Sequence, residues 1–340
     1  MSGNATTTYR NVAVLSVTSV LAPLVTTSFE IERRLEPVLK RLRLPTRLLE
    51  RVAGVIERRY WSNDLSIDEA TLQAGNDALK QAGVKPGDIG LLINTSVTKQ
   101  HIEPSVAVRI HHGLGLPSSA INFDISNACL GFVNGMNVAA RMIESGQIDY
   151  AMVVNGEDVR DIQLNTIKRL QNGEIGREQF MSEFASLTLG CGTAAAVLGR
   201  FDRHPEGHRV LGGITRASTQ FNDLCVGTMD GMLTNSKALL KRGMELVNAA
   251  WTEAKREWDW SDMDRYIMHQ VSDVHTDAFA KAAGLDKSKI PVTYPKFGNV
   301  GPASIPITLA EEQQKLHKGD RVLLCGVGSG INTSFLELAW

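Results

Sequence analysis

The stretch from Cys129 to Ser145 has almost no polar face. Leu130, Phe132, Val133, Met136, Val138, Ala139, Ala140, Met142 and Ile143 place apolar groups nearly all around a helical pattern. A helix of that kind is stable only where neighbours cover it on several sides. Its flanks read as strands, Ala120 to Ile125 before it and Tyr150 to Val154 after Gly146 ends it. Strand, buried helix and strand in succession predict a layered α/β protein.

The same alternation runs along the chain. Thr27-Ser28-Phe29-Glu30 has capping-box spacing and opens a helical pattern towards Leu42. Pro45 ends that pattern, and a second helix is expected to about Val55. Ser66 and Glu69 form another capping box and open a helix over 67–82, which Gly83 and Pro86 close. Ile89 to Thr95 is a compact apolar strand, and a long patterned helix is expected from about Asn235 to Trp258. Val12 to Val25 follows Arg10 and is apolar, yet Ser and Thr interrupt it and no small-residue cleavage site follows. A strand and a turn at Pro23 fit better than a signal peptide. No stretch reaches the roughly 18 apolar residues of a membrane helix.

Two segments repeat one grammar. Gly87 to Asn94 resembles Ser261 to His269 in placement, an acidic turn followed by an apolar strand, and Gly146 to Glu157 resembles Lys318 to Ser329. Between them lie a strand, a polar turn and a helix, with Cys129 at the first turn and Asn299 ahead of the second helix. The chain therefore divides into halves of 1–205 and 206–340 that bring their polar turns to one central place. Residues 159–186 interrupt the pattern with Lys168, Arg169, Glu174, Arg177 and Glu178. They read as an insertion, either a lid or dimer arm or an ordinary surface excursion.

A net charge of -1, from 36 basic and 37 acidic residues, lacks the clustered basic excess that nucleic-acid binding needs. Four cysteines without a C-x-x-C pair argue against zinc and against a disulfide framework, and fit reduced thiols in a cytoplasm. His111-His112 has no partner at metal-ligand spacing, so no metal is expected.

Cys129 stands at a strand-to-helix turn in Asn127-Ala128-Cys129-Leu130-Gly131. A helix N-terminus offers free N–H groups and partial positive charge, which favour thiolate. Taken alone, a buried structural thiol is the commoner situation. Three further elements change the balance. His269 follows a strand in Met268-His269-Gln270. Asn299 lies in the Gly/Pro-punctuated turn Gly298-Asn299-Val300-Gly301-Pro302. Ser329 lies in the glycine-rich turn Gly326-Val327-Gly328-Ser329-Gly330, where backbone can approach a substrate. His275 reads as packing or tunnel lining, and Cys191 and Cys325 read as structural.

In this order, the four motifs resemble the thiolase superfamily, ketoacyl synthase III type, over essentially the whole chain. The resemblance implies the five-layered αβαβα thiolase fold made of two similar halves, and a homodimer. It also implies that Cys129 accepts an acyl group and that His269 and Asn299 stabilise an enolate. The backbone N–H groups of Cys129 and Ser329 would form an oxyanion hole. Asn94-Thr95-Ser96-Val97, Ile102-Glu103-Pro104-Ser105 and Leu189-Gly190-Cys191-Gly192 further resemble the acyl-CoA condensing enzymes of bacterial long-chain olefin biosynthesis. That likeness implies a non-decarboxylative Claisen condensation of two fatty acyl-CoA molecules to a 2-alkyl-3-oxo acid. Glu103 would act as base on the partner subunit, acyl-CoA would be substrate, and no cofactor would be tightly bound. Downstream olefin-pathway enzymes would be partners. Two alternatives stay open: a decarboxylating ketoacyl synthase III using malonyl-ACP, and a non-catalytic subunit of a heterodimeric condensing enzyme.

Overall fold

The computed structural model describes residues 6–340. Nine strands, with the short Thr6–Thr8 strand paired to one of them, form a ten-stranded sheet. They are β1 (Ala13–Leu21), β2 (Leu91–Asn94), β3 (Ile121–Asp124), β4 (Tyr150–Glu157), β5 (Gly192–Gly199), β6 (His208–Ala217), β7 (Arg265–Met268), β8 (Arg321–Gly328) and β9 (Asn332–Ala339). Their order is β7-β8-β9-β6-β1-β5-β4-β2-β3.

That order contains one pattern twice. In the first half β2 and β4 run parallel, while the β4–β5 and β5–β1 pairs are antiparallel. In the second half β7 and β8 run parallel, while β8–β9 and β9–β6 are antiparallel. The halves join where β1 meets β6, at Ala13–Arg209 and Val14–His208.

Six helices complete the layers: α1 (Ile67–Ala82), α2 (Val106–Gly113), α3 (Gly131–Glu144), α4 (Ser236–Ala254), α5 (Asp273–Ala283) and α6 (Ser304–Glu312). The apolar strands face two ways, because successive side chains alternate across a sheet. Leu91 and Ile93 of β2 and Val322 and Leu324 of β8 pack on a central layer built from Phe132, Met136 and Ala140 of α3 with Ile305 and Leu309 of α6. Leu92 turns outward onto α1 and α2, and Leu323 onto α4 and α5. Sheets covered on both faces explain why these strands read as unbroken apolar runs. The result is the five-layered αβαβα arrangement, and α3 is buried because it lies between the two halves of the sheet.

Local details follow the sequence with informative departures. Both capping boxes form, Thr27 with Glu30 and Ser66 with Glu69, and α1 spans the expected 67–82. The pattern from Thr27 to Leu42 is instead two helices, Ser28–Arg34 and Glu36–Arg41. Pro37 explains the break: it has no N–H to donate back to Arg33 and is tolerated in the first turn of a new helix. The continuous α3 begins at Gly131, two residues beyond Cys129. Residues 159–186 fold into helices Arg160–Asn172 and Arg177–Glu183, whose Ile167, Leu170 and Phe180 share a core with Ile31, Leu35 and Leu49. Among the described residues no helix is long and apolar enough to cross a membrane.

Candidate active site

The carboxyl ends of the parallel strands converge on one cavity of about 510 Å³. Cys129 follows β3, Glu157 is the last residue of β4, His269 follows β7 and Ser329 follows β8. Asn299 enters from the loop that leads to α6. All five line the cavity, whose remaining wall includes Val271, Leu239, Leu240, Met244 and Phe279. Four of the five sequence-derived site residues are thus brought together from both halves.

The Cys129 turn is tight. Ala128 has φ +43°, a conformation rarely adopted by residues with a Cβ. The Leu130 and Gly131 N–H groups donate to the carbonyls of Asn127 and Ala128 at 3.0 and 3.2 Å. The glycine-rich turn closes on this structure: a Cβ at Gly328 would lie 3.5 Å from the Cys129 nitrogen. Asn332 donates to Asn127 at 3.3 Å and ties the two turns together.

The expected thiolate is corrected by the surroundings. Burial, and then the neighbouring Cys225 and Glu157, push the Cys129 thiol up to about 12. The favourable partial charge of a helix end falls off within a turn, and Cys129 stands outside the continuous helix. Desolvation therefore outweighs it, and the resting group is a thiol.

His269 is buried, and desolvation first, with His275 second, pulls it down to about 3, so the imidazole is neutral. Its Nδ1 lies 2.7 Å from Ser304 Oγ, which accepts the Gln270 N–H at 3.3 Å. Among the described residues the Ser304 hydroxyl has no other acceptor within reach, so it donates to Nδ1 and leaves the imidazole hydrogen on Nε2. Asn299 is fixed by its backbone, donating to Thr188 O and accepting from Gly190 N–H, each at 2.9 Å. Its Oδ1 accepts the Gly301 N–H at 2.9 Å, which leaves Nδ2 as the available donor. Gly298, at φ +67°, is required here, because a Cβ would lie 2.5 Å from Thr188 O.

Glu103 lies elsewhere. It is exposed and does not line this cavity within its own chain. Its loop is pinned at both ends. Glu157 accepts from the Val97 N–H at 2.8 Å, the Thr98 N–H at 3.0 Å and the Thr98 hydroxyl at 2.7 Å. Asp124 accepts from Lys99 Nζ at 2.8 Å and from the Val106 and Ala107 N–H groups at 3.2 and 3.0 Å.

Glu157 and Ser304 are the site neighbours that sequence reasoning missed. Glu157 is buried, and burial raises its carboxyl to about 7 despite the hydrogen bonds that lower it. Its only signal was an acid closing an apolar strand. Ser304 had the weaker signal of a hydroxyl at the start of a helix. His275 and Cys325 line the cavity, and Cys191 is buried away from it with its sulfur 3.4 Å from the Val159 nitrogen.

Comparison with known proteins agrees with this architecture. Residues 123–169 match the family model of 3-oxoacyl-[acyl-carrier-protein] synthase III, and residues 254–340 match its C-terminal model. The acyl-CoA:acyl-CoA alkyltransferase of Xanthomonas campestris is 42% identical over 98% of this chain and 99% of its own. That of Shewanella oneidensis is 32% identical over the same shares of the two chains. Crystal structures of Xanthomonas campestris OleA superpose closely. A cysteine-to-serine variant with bound lauric acid and lauroyl-CoA gives a TM-score of 0.95 at 41% identity, covering 98% of this chain and all of that one. The cerulenin-bound form gives 0.96 at 41% identity over all of both chains. Duplicated halves, a shared cavity and these likenesses define a thiolase-type condensing enzyme, an acyltransferase. Within that class, the chain belongs to the OleA family.

Proposed function

We propose that the protein joins two fatty acyl-CoA molecules head to head without decarboxylation. The observation that supports this most is the convergence of Cys129, His269 and Asn299 on one large apolar-walled cavity, with Glu103 held on an exposed loop outside it. In the first step the Cys129 sulfur attacks an acyl-CoA thioester while the Cys129 and Ser329 N–H groups hold the developing oxyanion. The thiol proton leaves with CoA as its free thiol. A second acyl-CoA then enters, and its thioester carbonyl accepts from His269 Nε2–H and Asn299 Nδ2–H. Glu103 of the partner subunit removes the α-proton, and the carbanion attacks the acyl-Cys129 carbonyl. Cys129 leaves as thiolate, the proton taken by Glu103 is returned to restore its thiol, and water cleaves the 2-alkyl-3-oxoacyl-CoA to the free acid and CoA.

This chemistry requires a homodimer and no tightly bound cofactor. It fits a cytoplasmic enzyme that passes its product to olefin-pathway enzymes, with the division between halves near residue 205. Glu103→Ala tests it. The variant should still form acyl-Cys129 by intact mass spectrometry but release no 3-oxo acid. Undiminished condensation would remove Glu103 from the mechanism.

A further inference from the structure

Five glycines lie inside the α-helices named above, and at four of them a Cβ would crowd a neighbour. A Cβ would come within 3.1 Å of Leu114 at Gly75, 2.6 Å of Leu72 at Gly113, 2.8 Å of Thr95 O at Gly131, and 2.9 Å of Thr95 and Val153 at Gly135. Gly243 differs. The nearest atom to its Cβ position is Val327 Cγ1 at 3.6 Å, an ordinary van der Waals contact. Its φ is not positive, it is buried, and it sits well inside the 19-residue helix α4. A glycine there weakens a helix by about 1 kcal/mol relative to alanine. Neither backbone conformation nor packing against the fold demands it.

Gly243 does line the cavity. The same face of α4 contributes Ser236, Leu239, Leu240 and Met244, spaced as one helical stripe. Three of these neighbours present long apolar side chains, while Gly243 presents only hydrogen. The gap lies opposite Val327, one residue before the Gly328 backbone that packs beside Cys129. We infer that Gly243 is a specificity-determining residue that keeps the cavity open along α4, beside Val327, for an alkyl chain, and so sets the longest chain the cavity accepts. This rests on the proposed function for the identity of the ligand as a fatty acyl group. The space itself and the absence of any structural demand for glycine are independent of it.

The test compares Gly243→Ala, Gly243→Val and Gly243→Leu with the wild type, using hexanoyl-CoA and hexadecanoyl-CoA. Acyl-Cys129 is read by intact mass spectrometry over time. A pocket that loses space discriminates by about tenfold or more per methylene it cannot hold. The ratio of hexadecanoyl to hexanoyl labelling should therefore fall stepwise from Ala to Leu, by at least about tenfold in Gly243→Leu. Gly243→Ala should melt at or above the wild-type temperature. An unchanged ratio in Gly243→Val and Gly243→Leu would overturn the inference, as would a marked loss of stability in Gly243→Ala. If Gly243→Leu fails to fold, Gly243→Val decides. The same ratio is read without any Cys129 chemistry by displacing a fluorescent fatty acid with hexanoate and hexadecanoate. A wild type that binds both acids but never acylates Cys129 would defeat the proposed function, while a shifted binding ratio would still uphold the role of Gly243.

Discussion

Ser304 Oγ lies 2.7 Å from His269 Nδ1, and this contact sets which imidazole nitrogen carries hydrogen towards the cavity. The serine comes from the first turn of α6 and the histidine from the end of β7, so the pairing depends on the packing of the second half. A neutral imidazole has one donor. Burial keeps it neutral, and Ser304 places that donor on Nε2.

Ser304→Ala should therefore slow condensation while sparing acyl-Cys129 formation. The loss should be about tenfold to a hundredfold, between that of one hydrogen bond and that of a whole oxyanion donor. Single-turnover acylation and steady-state product release, measured side by side, separate the two steps. Equal losses in both would assign Ser304 to folding alone.

Cys129 should be a slow thiol towards small alkylating agents at neutral pH. Burial holds the proton, and the attacking species is thiolate. With the group pushed up to about 12, its iodoacetamide alkylation rate should climb about tenfold per pH unit from neutrality to about pH 10 without a plateau. A plateau between about pH 6 and 8 would mean an activated thiolate in the resting enzyme.

Glu157 links stability to pH with a definite sign. Its carboxyl is raised from 4.5 in the unfolded chain to about 7 in the folded one, so the native state holds its proton more tightly. That contribution is fully present below pH 4.5 and is lost as pH rises through about 7, to a total of about 3 kcal/mol. Glu157→Gln cannot ionise and should lose this slope, as urea denaturation at about pH 5 and about pH 8 would detect. The variant keeps only one acceptor oxygen for Val97 and Thr98, so it should also loosen the Glu103 loop and lower condensation more than acylation. A wild-type stability equal at both pH values would contradict the assignment.

The legible parts of this protein are those whose causes are local. Ser66 and Glu69 cap α1 through contacts three residues apart, and the helix begins and ends where expected. Cys129, His269, Asn299 and Ser329 are visible because each follows a strand or leads into a helix, positions where chain ends meet in an α/β fold. Glu157 is not, because its partners Val97 and Thr98 lie about sixty residues away in sequence. The acidity of Cys129 is hidden for a related reason. A helix terminus is a local signal, whereas desolvation depends on every element around the cavity. The packing of 159–186 on Ile31, Leu35 and Leu49 is likewise masked by the charges on its outer face.

In the proposed reaction two acyl chains combine with no malonyl donor and with Cys129 as carrier. Its most direct test is wild-type enzyme incubated with two acyl-CoAs of different length, each carbon-labelled at the carboxyl, with products and protein analysed by mass spectrometry. The wild type should carry acyl groups on Cys129 and release mixed 2-alkyl-3-oxo acids that retain both labels, with neither seen in Cys129→Ala. Absence of product until malonyl-ACP is added, or release of one label as carbon dioxide in the condensation step itself, would contradict it.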